Sequence, residues 1–226
     1  IAIPLALAAL CNAQAADYPT KPIRMIVGFA PGGGTDTTAR AISTKLGEAL
    51  GQQVIIDNRP GAAGNIATEL VAKASPDGYT LLLGTIAALA INPSLYRTKL
   101  PFDSVKDFAP IIQVVDSTNI LSLHPSVAAG TVKELIALAK VKPLNYGSSG
   151  VGGTGHLAGE LFNTMAGVKM THVPYKGGGP AMIDLVGGQI QLVYATAASA
   201  VPQIKSGRIK GIAVTTVKRS ALMPNL

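Results

Sequence analysis

The sequence predicts an α/β protein of two lobes with mainly parallel sheets, and three observations carry that expectation. Strand-like apolar runs recur at intervals of about 25–30 residues, the length of a βα unit, with helical patterns between them. Two stretches read alike, Gly28-Phe29-Ala30-Pro31-Gly32-Gly33-Gly34-Thr35 and Asn145-Tyr146-Gly147-Ser148-Ser149-Gly150-Val151-Gly152-Gly153-Thr154. Each leaves an apolar run, passes through clustered glycines and opens an amphipathic helix. The composition agrees: of 226 residues 48% are hydrophobic but only 4% aromatic, with no Trp. Such a core is built from Ala, Val, Ile and Leu, as in buried parallel sheets.

Taken in order, residues 1–15 read as part of a signal peptide. Ile1 to Leu10 is apolar but too short to span a bilayer, and Ala13-Gln14-Ala15 offers the A-x-A pattern of a cleavage site. The mature chain is expected to start near Ala16 or Asp17. Leu10 before Cys11 argues against a lipoprotein signal, so Cys11 leaves with the leader and no disulfide is expected. Strands are expected at Ile23–Phe29, Val54–Asp57, Thr80–Gly84, Ile111–Val115, Ile120–His124, Asn145–Gly147, Met170–Val173, Ile190–Tyr194 and Ile209–Thr215. In the first helix Ala39, Ile42, Leu46 and Ala49 mark one face and Gly51 is its stop. Thr131 and Glu134 form a capping box before Leu135. Leu157, Leu161 and Met165 mark a face of the helix after the second glycine turn. Pro180 and Pro202 suit first helical turns.

Lobe 1 is expected over residues 17–122 and lobe 2 over 123–213, with 214–226 returning toward lobe 1. No helix closes the last unit before Leu226, which predicts a fragment lacking the C-terminal part of lobe 1.

The formal charge is +7, yet the basic residues are scattered rather than gathered into a patch, which argues against nucleic acid as a partner. The first glycine turn nearly spells a P-loop, but Gly34 stands where the phosphate-binding lysine belongs. Gly150 to Gly155 matches G-x-G-x-x-G, but the next strand ends Thr171-His172-Val173-Pro174 without the acidic ribose clamp. Neither a nucleotide nor any other cofactor is expected. His124, His156 and His172 lack metal-ligand spacing. Ser148 and Ser149 lack the G-x-S-x-G elbow of a hydrolase, and no catalytic residue is expected.

What survives is a pair of anion cradles, since clustered N–H groups and a helix dipole favour negative charge. Asp36 bears against the first unless its carboxylate turns away. Further cleft candidates lie just past strand ends: Thr85, Tyr175 to Gly179, and Ala195-Thr196. His156 either donates to a ligand or bonds to its own loop.

Several of these segments closely resemble one family. They are Tyr18 to Arg24, Pro31 to Asp36, Asn58 to Asn65, Ser75 to Leu81, Asp107 to Pro110, His156 to Glu160 and His172 to Gly177. The family is that of the extracytoplasmic solute receptors of tripartite tricarboxylate transporters, the Bug family. The resemblance implies a periplasmic two-lobed receptor of the type II binding-protein fold. Such a receptor, a monomer, closes on a small di- or tricarboxylate and delivers it to membrane permease subunits. It points to Gly32, Gly33, Gly34, Thr35, Thr85, Ser148, Ser149, Thr154, His156, Tyr175 and Thr196 as ligand-binding residues. Tyr194-Ala195-Thr196 departs from members with an acidic residue near this point, which argues against an amino-acid ligand. A sensor presenting its ligand to a membrane histidine kinase would use the same cleft.

Overall fold

The computed structural model describes residues 17–221 and 223–226, so the leader expected at 1–15, with Cys11 and the cleavage site, lies outside the described residues. The first sheet holds β1 (Ile23–Val27), β2 (Val54–Asn58) and β3 (Thr80–Leu83) in the order β2-β1-β3, all parallel. On it lies α1 (Gly34–Leu50), which buries Ala39 against Met25 and Val27, with Ile42 and Leu46 alongside. Gly51 ends α1 in the left-handed region at φ 67°, as its place in the sequence predicts. A second helix, α2 (Asn65–Ala72), follows β2.

From β3 the chain runs through a π-helical turn (Ala87–Ile91), α3 (Asn92–Tyr96) and a 3-10 turn (Arg97–Lys99). The strand expected at Ile111–Val115 does not form. A strand needs a ladder partner, none runs beside this segment among the described residues, and Ile111 and Ile112 face solvent.

The second sheet holds β4 (Asn119–Leu123), β5 (Asn145–Ser148), β6 (Thr171–Pro174), β7 (Leu192–Thr196) and β8 (Lys210–Val214), in the order β6-β5-β7-β4-β8. Strands β6, β5 and β7 are parallel, whereas β4 runs antiparallel to β7 and to β8, so this sheet is mixed. The period-2 alternation of its strands sends side chains to two faces. Leu121, Leu123, Leu192 and Tyr194 join one cluster, with Leu135 of α4 (Val132–Val141) and Phe162 of α5 (Thr154–Ala166). Ile120, Val193 and Ala195 join the other, with Leu185 of α6 (Gly178–Val186) and Ala200 of α7 (Ala197–Lys205). Leu135 is fully buried, and its truncation to Ala would cost about 2–5 kcal/mol. The Thr131–Glu134 capping box is present in both directions.

Four local expectations change. The stripe Leu157, Leu161, Met165 points outward, Met165 being 79% exposed. The packed side of α5 carries Ala158, Phe162 and Gly159 instead, because a Cβ at Gly159 would overlap the Tyr146 ring. Pro202 lies inside α7 rather than in its first turn. The boundary between residues 122 and 123 falls within β4, all of which belongs to the second sheet. In the tail expected to return to lobe 1, Met223 and Leu226 pack on the second sheet's cluster, where Leu226 meets Gly211.

Candidate functional site

Parallel strands release their loops at one edge. In the first sheet the carboxyl ends of β1, β2 and β3 carry the segments from Gly28, Arg59 and Gly84. In the second, those of β5, β6 and β7 carry the segments from Ser149, Tyr175 and Ala197. These two edges face each other, as ligand sites in open α/β sheets require. The Ala30 N–H donates to the Lys176 carbonyl at 2.9 Å across the divide.

The first glycine turn meets the second lobe. A Cβ on Gly33 would lie 3.2 Å from the backbone nitrogens of Gly178 and Gly179, and one on Gly34 would overlap Thr196 Oγ1. Gly179 in turn leaves no space for a Cβ beside the Pro31 carbonyl. Gly34 opens α1, Gly178 opens α6, and Thr196 caps α7. Three helix N-termini therefore converge, each worth about half a positive charge.

Part of the first cradle is already filled. Asp36 is buried, and its carboxylate accepts the Gly32 N–H at 3.0 Å, Arg40 Nε at 3.0 Å and Asn58 Nδ2 at 3.0 Å. Burial pushes this carboxyl up, but the bonds from Arg40, Gly32 and Asn58 outweigh it and hold it below its ordinary 3.8. Gly32 is thus bonded within the protein. The first-turn N–H groups of α1, which an α-helix leaves without intrahelical partners, are those of Gly33, Gly34, Thr35 and Asp36.

The second glycine turn meets the first lobe. A Cβ on Gly150 (φ 135°) would lie 3.6 Å from Ala63 N, and one on Gly152 (φ 86°) 2.5 Å from Asn92 Oδ1. Behind the turn, the buried Ser148 hydroxyl accepts the Gly150 N–H at 3.1 Å and lies 2.7 Å from His172 Nε2. Ser149 Oγ stands beside Gly153, the N-cap, and Thr154 opens α5. His156 Nδ1 accepts the Gly152 N–H at 3.3 Å, so this ring bonds to its own loop.

Between the lobes lies a cleft of about 300 Å³ lined by Gly61, Ala62, Ala63, Tyr96, Gly150, Val151, Pro174, Tyr175 and Lys176. Of the expected site residues, Tyr175 lines it. Its hydroxyl donates to Asp184 Oδ2 at 2.6 Å, and burial together with Asp184 pushes it up to about 12. The Gly32–Gly34 turn and Thr196 form the seam beside this cleft, while Ser148, Ser149, Thr154 and His156 support its second-lobe loop. Thr85 stands past β3, and its buried Oγ1 has no partner among the described residues.

Three features escape the sequence reading. Gly61, Ala62, Ala63 and Gly64 all have positive φ, and for two successive alanines that backbone is strained. The bracketing glycines after a parallel strand are the signal. Asn92 is fully buried, donates to Asn65 Oδ1 at 2.6 Å, and its own Oδ1 has no partner among the described residues. A lone amide closing the apolar run Ala87–Ile91 marks it. His172 shows its role only through strand register, which sets it beside Tyr146.

Residues 38–226 match the profile of the tripartite tricarboxylate transporter family receptor, TctC. The chain belongs to that family. Curated relatives of this TctC chain include a UPF0065 protein of Bordetella bronchiseptica, 38% identical over 95% of the chain and 64% of its own length. BugT of Bordetella pertussis is 37% identical over 99% of the chain and 70% of its own length. The chain thus spans roughly two thirds of the length of these relatives. An R. palustris protein solved with adipate superposes with a TM-score of 0.86 at 43% identity, over 89% of this chain and 68% of that one. MatC from Rhodopseudomonas palustris, solved with malate, superposes with a TM-score of 0.86 at 30% identity, over 92% and 71%. The periplasmic binding protein BugD gives 0.84 at 34%, over 92% and 70%. The fold is therefore the α/β periplasmic-binding-protein type of this family. No helix among the described residues is long and apolar enough to cross a membrane, and no three His, Cys, Asp or Glu side chains among them group as metal ligands.

Proposed function

We propose that this chain is the ligand-gripping part of a periplasmic receptor that closes on a small di- or tricarboxylate. It then passes the ligand to the membrane permease subunits of a tripartite tricarboxylate transporter. The observation that carries this reading is the meeting of the two sheet edges, each bringing a glycine turn and helix N-termini to the other. Three positive helix ends facing one another repel, and an anion in the cleft beside the seam offsets that repulsion. A carboxylate ligand thus favours the closed arrangement. The 300 Å³ cleft, with Lys176 at its edge, suits a ligand at the small end of the usual range.

The adipate- and malate-bound neighbours support the same ligand class. Asp36 and Asp184 are engaged by Arg40 and Tyr175 respectively, so neither offers a free partner for an amino-acid ammonium. Enzymatic use of the Ser148–His172 contact is disfavoured because Ser148 is fully buried and its hydroxyl is shared with Gly150. Titration calorimetry of the purified protein with adipate, malate and citrate, against ATP and NAD, tests the reading. One dicarboxylate per chain is expected. Nucleotide binding without carboxylate binding would overturn it.

A further inference from the structure

Two imidazoles lie beneath the second glycine turn, and each touches it. His172 Nε2 lies 2.7 Å from Ser148 Oγ, which accepts the Gly150 N–H at 3.1 Å. His156 Nδ1 accepts the Gly152 N–H at 3.3 Å. The two ring centroids are 4.2 Å apart. Gly150 and Gly152 are in turn the residues of this loop that meet Ala63 and Asn92 of the first lobe.

We propose that His156 and His172 are positioning residues, a proton-sensitive latch that fixes the second glycine turn in the shape that closes on the first lobe. This rests on the receptor reading above. Nδ1 of His156 accepts the Gly152 N–H only while it carries no proton. A proton there sets two donors face to face, and the Gly152 bond is lost. A proton on His172 Nε2 forces the Ser148 hydroxyl to accept from the ring and turn its own hydrogen to the Gly150 carbonyl, 3.1 Å away. Acidification therefore undoes one bond of the turn and rewires the other.

The charges around the pair set how it titrates. Two imidazolium ions at this spacing repel, so the pair resists a second proton. Glu160 of α5 faces the rings, but its carboxylate accepts the Tyr146 hydroxyl of β5, which stacks on His172 at 5.0 Å. Tyr194 of β7 packs edge-on against Tyr146 at 6.3 Å. Burial, then the neighbouring His156, pushes His172 down to about 4 against the opposing pull of Glu160. His172 thus stays a neutral partner of Ser148 over most of the acid range.

The test compares wild type with His156→Asn, which places an uncharged acceptor where Nδ1 stands, and with His156→Leu, which places none. Adipate affinity is measured by calorimetry between about pH 7.5 and about pH 5, the range in which imidazoles change charge. Amide exchange of residues 150–153 is followed on the ligand-free protein over the same range. The ratio of wild-type to His156→Asn affinity cancels the titration of adipate itself. That ratio should fall about tenfold on acidification, a common size for coupling between sites, and His156→Leu should expose the Gly152 amide at every pH. Wild-type exchange at Gly152 should accelerate beyond its intrinsic pH dependence, whereas that of His156→Asn should not. A ratio and an exchange rate both independent of pH would overturn the latch. Should adipate, malate and citrate all fail to bind wild type at neutral pH, the receptor reading falls, and the exchange measurement still decides the latch.

Discussion

The Asp36 carboxylate accepts the Gly32 N–H at 3.0 Å, four residues back, so the first glycine turn carries its own anion. Arg40 and Asn58 complete the grip on that carboxylate. The negative charge that threatens a carboxylate ligand is thereby offset within the protein. Asp36→Asn should lower stability by about 1–3 kcal/mol in urea unfolding, the cost of weakening a buried bond to a charged group. Since the folded protein holds Asp36 below its ordinary 3.8, its contribution is complete above that value and is lost as the pH falls further. The gap between wild type and variant should close in the same window.

The seam predicts a wedge effect. Gly34→Ala would drive its Cβ into Thr196 Oγ1 across the two lobes. Carboxylate affinity should fall at least about tenfold while each lobe keeps its own melting behaviour. Adding Thr196→Gly removes the obstacle and should recover much of the loss, giving a coupling of about 0.5–3 kcal/mol in a double-mutant cycle. Additive losses would place the contact outside the closure.

Thr85 offers a test with opposite signs. Its buried Oγ1 has no partner among the described residues, so Thr85→Val should leave the ligand-free protein unchanged or slightly more stable. If that hydroxyl meets the ligand, the same change should weaken carboxylate binding. Thermal melts with and without adipate separate the two effects.

His172 gives a stability signature of its own. With its folded value pushed from the ordinary 6.5 down to about 4, the unfolded chain binds the proton more readily. The stability it contributes is therefore complete above about 6.5 and is lost as the pH falls through about 4. His172→Gln should flatten that part of the stability–pH curve. An unchanged slope would show that burial beside His156 does not hold the ring neutral.

The βα order was legible because apolar runs and helix signals recur, and the Thr131–Glu134 box and Gly51 stop are local chemistry. Ile111–Val115 misled because an apolar run specifies burial, while a strand also needs a neighbour. Leu157, Leu161 and Met165 misled because α5 carries two apolar stripes, and Gly159 decides between them only once the Tyr146 ring is in place. The glycine turns were legible as positions but not as partners. That Asp36 would fill part of one, and that His156 would accept rather than donate, depends on which way side chains turn. The left-handed Ala62 and Ala63 were missed, since alanine itself gives no sign of positive φ and only the bracketing Gly61 and Gly64 hint at it.

The most direct test of carboxylate capture between the lobes is calorimetric titration of adipate into wild type, Gly33→Val and Gly152→Val. Gly33 has φ −83°, so valine there acts through bulk against Gly178 and Gly179, whereas at Gly152 it meets both a positive φ and Asn92. Wild type should bind one adipate per chain, and both variants, one from each lobe, should lose about tenfold or more in affinity. Adipate binding indifferent to both substitutions would contradict a site between the lobes.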